Sequence, residues 1–232
     1  MTGIFSRVKS AGLDRFGFHV SVEDLREPAK GFVLATFVGA ALTEHEWQPG
    51  DRVSLRTPED ELRNYTPFDW DRGAGRVRVL GVGLASGPGT RYLRALTVGA
   101  QVQVLGPKRS VRLDFGRAPL IVGDETVLGL VAAWNGAYPE SPATVLLEAA
   151  DSAACQAAAQ AIGVVPTRVV EDRENLVAAV LDTVRANREA PLVLSGRAQT
   201  IAAMRRALKS EALNDRQTIV RAYWDENRAG LD

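Results

Sequence analysis

The chain has 232 residues, 46% of them apolar, with 28 basic and 28 acidic side chains and no formal net charge. This length and apolar share suit one large or two modest globular domains rather than a disordered chain. The even charge argues against wholesale neutralisation of nucleic-acid phosphates, and one cysteine with two histidines argues against an iron–sulfur cluster and against a zinc site or haem built from His and Cys.

The opening residues, MTGIFSRVKSAG, lack the long apolar core of a signal peptide. No apolar run approaches the roughly 18 residues of a membrane span, and a cytoplasmic protein is expected. Five short Val- and Leu-rich runs then follow: GFVLATFVGA, DRVSLRT, GRVRVLGVG, AQVQVLG and SVRLDFG. RVRVL and QVQVL alternate strictly, the mark of half-buried antiparallel strands. The spacing of Gly50, Val53, Leu55 and Pro58 recurs at Gly99, Val102, Val104 and Pro107. Each set reads as a turn glycine, an alternating strand and a proline stop. Together the runs predict a small closed or nearly closed antiparallel β-barrel over residues 1–115. The segment RNYTPFDWD, residues 63–71, is read as lying between two of these strands. Its arginine, rings and acids suit neither a plain surface loop nor a core strand.

The rhythm changes near residue 116. APLIVG, ATVLLEA, TRVV and APLVLSG are apolar strand-like runs separated by helical stretches. Leu176, Val177, Val180, Leu181 and Val184 form one helical stripe, and Ile201, Met204 and Leu208 form another. Strand alternating with helix predicts a parallel sheet with flanking helices over residues 116–232. The fold class is therefore two-domain, β plus α/β. No Pro/Gly/Ser-rich linker separates the halves, so closely packed domains with a cleft are expected. Cys155 lies in the alanine-rich DSAACQAAAQAI and is read as a small packed thiol.

RNYTPF resembles R-x-Y-[ST], the flavin signature of the ferredoxin-reductase-like flavoproteins. It is closer to the R-x-Y-T-x-R form of the siderophore-interacting protein family. GPGTRYLRALTVGAQVQVLGP is similar to that family's second flavin segment. IVGDETVLGLVAAW resembles its Asp-Glu-Thr turn, and LVLSGRAQTIAAMRRAL with AYWDENRAG its last strand–helix pair and Tyr-Trp tail. The resemblance covers about residues 31 to 228. Departures are Phe68 for the second arginine, Leu80 for a histidine, Gly129 for a proline and Arg197 for an acid.

The resemblance implies an FAD-binding barrel and an NAD(P)H-binding α/β domain. Arg63, Asn64, Tyr65 and Thr66, with Gly87, Pro88, Gly89 and Thr90, would be the cofactor-binding residues. Arg63 would fork onto the pyrophosphate. Tyr65, two residues on and on the same face, would flank the flat ring. Thr66 would reach the ring edge, and Thr90 would start a helix that receives the pyrophosphate. Trp224, beside Tyr223, would lie against the flavin or simply pack. Gly123, Asp124, Glu125 and Thr126, with Gly196 and Arg197, would meet the nucleotide, although Asp124 and Glu125 equally suit helix capping. Arg168 and Arg173 flank a strand end, as readers of a 2′-phosphate or as solvated arginines. Lys108 and Arg109, with Arg112, would attract an anionic chelate or form an ordinary solvated face.

The implied activity moves electrons from NADPH or NADH through FAD to a ferric siderophore or other ferric chelate, in a monomer that needs neither nucleic acid nor membrane. Two alternatives remain: a redox-silent siderophore or small-molecule binding module, and a flavin reductase with a non-iron acceptor.

Overall fold

Alternating apolar residues organise the first half of the chain. Val20 and Val22, Val53 and Leu55, Val77 and Val79, and Val102 and Val104 all enter one buried cluster. They lie on strands β1 (Gly17–Arg26), β3 (Asp51–Arg56), β6 (Arg76–Val82) and β7 (Gln101–Arg109). The protein, here a computed structural model, is described at residues 17–83 and 88–226, Pro88 without its side chain. Strands β2 (Phe32–Val38), β4 (Leu62–Tyr65) and β5 (Pro67–Asp71) complete a seven-stranded antiparallel sheet in the order β4-β3-β7-β1-β2-β6-β5. The outer strands β4 and β5 are separated in sequence by Thr66 alone. Edges joined by one residue require the sheet to curl on itself, which makes the barrel. Helix α1 (Pro88–Ala95) contributes Leu93 to the same core.

The segment 63–71 is thus no connector; it supplies most of β4 and all of β5. A register shift between Phe68 and Asp71, with Asp69 at φ 48°, marks a β-bulge. The extra residue sends Trp70 into the barrel core, where its Nε1–H donates to the Leu42 carbonyl at 3.0 Å. Phe68 is buried outside that cluster, with the Arg78 guanidinium carbon 5.3 Å from its ring centroid.

The echoed spacing has a structural counterpart. Gly50 and Gly99 both adopt left-handed φ, 89° and 86°, and the strands they introduce, β3 and β7, pair with each other. Pro107 does not stop its strand. It lies inside β7 where the ladder with β3 slips, at a place where a missing N–H is tolerated. The strand predicted at residues 110–116 is absent. Val111 and Leu113 are buried and Arg112 and Asp114 exposed, so the alternation reports burial, met here without a ladder.

The second half forms a parallel sheet in the order β10-β9-β8-β11-β12. Its strands are β8 (Leu120–Asp124), β9 (Thr144–Glu148), β10 (Arg168–Val170), β11 (Leu192–Arg197) and β12 (Thr218–Trp224). Helices α2 (Leu128–Ala137), α3 (Ser152–Ala161), α4 (Arg173–Ala186) and α5 (Ala198–Ser210) connect them. The predicted stripes on α4 and α5 pack against Leu120, Val122, Leu146, Leu192 and Leu194, with Val177 and Leu181 partly buried at the margin. Cys155 is buried in α3, and burial, reinforced by the charges of Glu125, Asp124 and Asp151, pushes its thiol up to about 12. β12, read in the sequence only as a Tyr-Trp tail, is a full edge strand. The chain's contacts divide it into two units, residues 17–27 with 31–109 and residues 28–30 with 110–226. No described helix is long and apolar enough to cross a membrane.

Candidate functional site

In the barrel unit, β4 and the start of α1 come together. Register pairs Leu55 with Arg63 and Val53 with Tyr65, so both side chains leave β4 on the face of the buried Val53 and Leu55. Tyr65 is only 8% exposed, and its hydroxyl donates to the Gly89 carbonyl at 2.8 Å. Its ring belongs to the barrel core rather than offering a broad open face, and burial holds its phenol well above the usual tyrosine range. A Cβ at Gly89 would lie 3.2 Å from that hydroxyl and 3.9 Å from the Arg63 Cδ. The glycine is what lets α1 begin this close to β4. Arg63 pairs with Glu61 and donates to the Leu62 carbonyl at 3.3 Å, while its Nε is buried without a hydrogen-bond partner among the described residues. Thr90, in the first turn of α1, is buried.

Other barrel candidates stand apart from this group. Asn64 is exposed and accepts from the Ser54 hydroxyl at 2.6 Å. Thr66 is half-buried at the junction of the two edges. Lys108 and Arg109 end β7 exposed, and the Arg109 Nε pairs with the buried Asp51 at 3.0 Å. Arg112 belongs to the other unit. Gly87 lies outside the described residues.

In the parallel unit, the winding direction reverses between β8 and β11, and the loops beyond their carboxyl ends diverge there. Open α/β sheets bind ligands at such a point. Gly123 of β8 packs so tightly on β11 that a Cβ would run into the Ser195 carbonyl. Gly196, at φ 97°, turns its backbone against the Asp124 carboxylate, a conformation that strains any other residue. Asp124 caps the short turn 125–127: its Oδ1 accepts the Thr126 amide at 3.0 Å and the Thr126 hydroxyl. Its Oδ2 accepts the Trp224 indole N–H at 2.6 Å. Burial raises the Asp124 pKa, while these donors and the Arg197 charge oppose the shift.

Arg197 lies over the Trp224 ring, its guanidinium carbon 5.0 Å from the centroid, and pairs with Glu226. Its Nη1 also donates to Glu148 at 2.9 Å. Glu148, the last residue of β9, was not singled out in the sequence. Arg173 donates to it through Nε and Nη2, both at 3.1 Å, and the Thr200 hydroxyl does so at 2.7 Å. A charged residue closing the apolar run ATVLLE was the available signal, since parallel strands reserve such ends for ligands or ion pairs. Of the two flanking arginines, Arg173 is therefore engaged by Glu148, and Arg168 is exposed at the start of β10. The cofactor candidates divide between the units: Arg63, Tyr65, Gly89 and Thr90 in one, Trp224 in the other with the nucleotide candidates.

No family model and no curated protein matches the sequence. Solved structures do. A siderophore utilization protein from T. fusca superposes with a TM-score of 0.71 at 22% identity, over 93% of this chain and 95% of that one. The siderophore-interacting protein from Acinetobacter baumannii gives 0.71 at 15% identity, over 92% of each chain. A ferredoxin reductase of carbazole 1,9a-dioxygenase gives 0.69 at 17% identity, over 89% of this chain and 68% of that one. An antiparallel barrel, then a parallel sheet with flanking helices, then these superpositions lead to one statement: the chain has the two-domain ferredoxin-reductase-like fold, which siderophore-interacting proteins share.

Proposed function

We propose that the protein is an FAD-dependent oxidoreductase that takes electrons from NAD(P)H and reduces a ferric siderophore or related ferric chelate. The observation that carries the flavin half is Arg63. Its buried Nε, beside the first turn of α1, lacks a partner among the described residues, and a donor left unmatched there suits an anionic pyrophosphate. Arg63 and the amides around Gly89 and Thr90 would hold that group, and Tyr65 would keep α1 docked on β4 while they do so. Thr66, at the joined edges, would address the ring. Bound FAD supplies the exchange between a hydride donor and single-electron reduction of iron(III). Each hydride carries an electron pair and each ferric centre takes one electron.

For the donor's pyrophosphate we assign the start of α5, beside Gly196 and Arg197. Asp124 already accepts the Thr126 amide, whereas α5 begins without a side-chain cap. Lys108 and Arg109 are the proposed attraction for an anionic chelate. The siderophore half rests on the fold-sharing proteins named above, two of which are described as siderophore-utilising or siderophore-interacting. A monomer in the cytoplasm, where nicotinamide nucleotides are supplied, is the proposed setting.

Titration with FAD tests the first half: Arg63→Ala should weaken binding roughly ten- to a hundredfold, the worth of a charge-assisted contact. Unchanged affinity removes Arg63 from the site. For the second half, anaerobic NADH or NADPH should bleach the flavin-loaded protein, and a ferric siderophore should restore the colour with iron(II) captured by a ferrous chelator. Bleaching without transfer to any ferric chelate leaves a flavin reductase with another acceptor. A second reading, a redox-silent binding module, draws on Phe68, a buried ring where a phosphate-binding arginine was expected. A protein that stays colourless after incubation with FAD supports it.

A further inference from the structure

We propose that Glu148 selects the coenzyme, excluding a 2′-phosphate so that NADH and not NADPH is the donor. This rests on the nucleotide reading above. At the switch point of an open parallel sheet, the adenosine ribose of a dinucleotide falls at the end of the strand beside the first one. That strand is β9, and its end is Glu148. A 2′-phosphate needs a free arginine at that place, and an acid that engages the arginines there leaves none for it.

Two arginines are present, and both are held. Arg173 reaches Glu148 with two nitrogens at 3.1 Å, and Arg197 adds a third at 2.9 Å. Thr200 fills the remaining acceptor position at 2.7 Å. The carboxylate is 8% exposed, and its four donors match the roughly four lone-pair sites such a group has. Arg173, Arg197 and Thr200 form an anion cradle whose occupant is part of the chain. An incoming phosphate dianion would have to expel a buried carboxylate, leaving it without partners, or stack its own charge beside it. Asp124 and Glu125, next along the sheet end, are carboxyl groups and offer a phosphate no cation. Arg197 is further committed to Glu226.

The test is calorimetric titration of the full chain with adenosine 5′-monophosphate and with 2′,5′-ADP, probes that differ only in the 2′-phosphate. Wild-type protein should bind the monophosphate at least tenfold more tightly. Glu148→Gln keeps the shape and removes the charge, so the gap should shrink at least tenfold through tighter binding of 2′,5′-ADP. Should that variant not fold, the wild-type ratio decides alone. Equal or tighter wild-type binding of 2′,5′-ADP overturns the selector and leaves the nucleotide reading standing. Binding of neither probe, in a protein that still binds FAD, overturns the nucleotide reading and the selector with it.

Discussion

Glu125 follows the cap residue Asp124 and is mostly covered, which pushes its carboxyl from an ordinary value near 4.5 up to about 7; the charges of Asp124 and Glu148 add to the burial. A folded pKa above the unfolded one means that the folded state holds the proton more tightly. Stability contributed by that proton is complete below about pH 4.5 and is lost as pH rises through about 7. Glu125→Gln keeps a neutral group at every pH. The variant should match the wild type at pH 4 and exceed it at pH 8 by on the order of 1–3 kcal/mol, read from urea unfolding at the two pH values. An equal gain at both would assign the effect to packing. Tyr65 shows the same dependence of role on surroundings. Its position in R-x-Y-T was legible in the sequence, and so was its shared face with Arg63. Its hydrogen bond to Gly89 was not, because the partner is a backbone carbonyl that no residue pattern announces.

Strand-to-helix turns in the parallel unit repeatedly use aspartate. Asp124 ends β8 and caps the turn after it; Asp151 caps α3 by accepting the Ala154 amide at 2.9 Å; Asp172 caps α4 by accepting the Asn175 amide at 2.9 Å. Each satisfies a donor that the helix cannot pair internally. Asp151→Ala and Asp172→Ala should each cost about 1 kcal/mol of stability, read from denaturant unfolding. Helices α4 and α5 were readable from their stripes, and the four strands β8 to β11 from their apolar runs. β12 was hidden, since TIVRAYW at the sheet edge is half-buried and lacks the continuous apolar character of an inner strand. The bulge at Asp69 was equally hidden: it breaks the two-residue period by which Phe68 and Trp70 would have been placed on one face.

Across the whole molecule the charges cancel, with 28 of each sign and an isoelectric point near 6.8. Mutual repulsion between copies is then weakest close to neutrality. Solubility in low salt should pass through a minimum near pH 7 and rise on either side, as precipitation by polyethylene glycol across pH 5 to 9 would record. A flat profile would mean that apolar contacts, not charge, govern association. The two-domain plan was legible from the change of rhythm near residue 116, but the sheet orders were not, because pairing between distant strands leaves no local trace. One such pairing constrains how the protein is made. β7 is the last barrel strand in the chain, yet it lies between β3 and β1, joining the β3–β4 pair to the β1-β2-β6-β5 set. On the ribosome, neither fragment can close until residue 109 has emerged. Up to that point the nascent chain holds two unjoined pieces of sheet, each with an open edge waiting for the same strand.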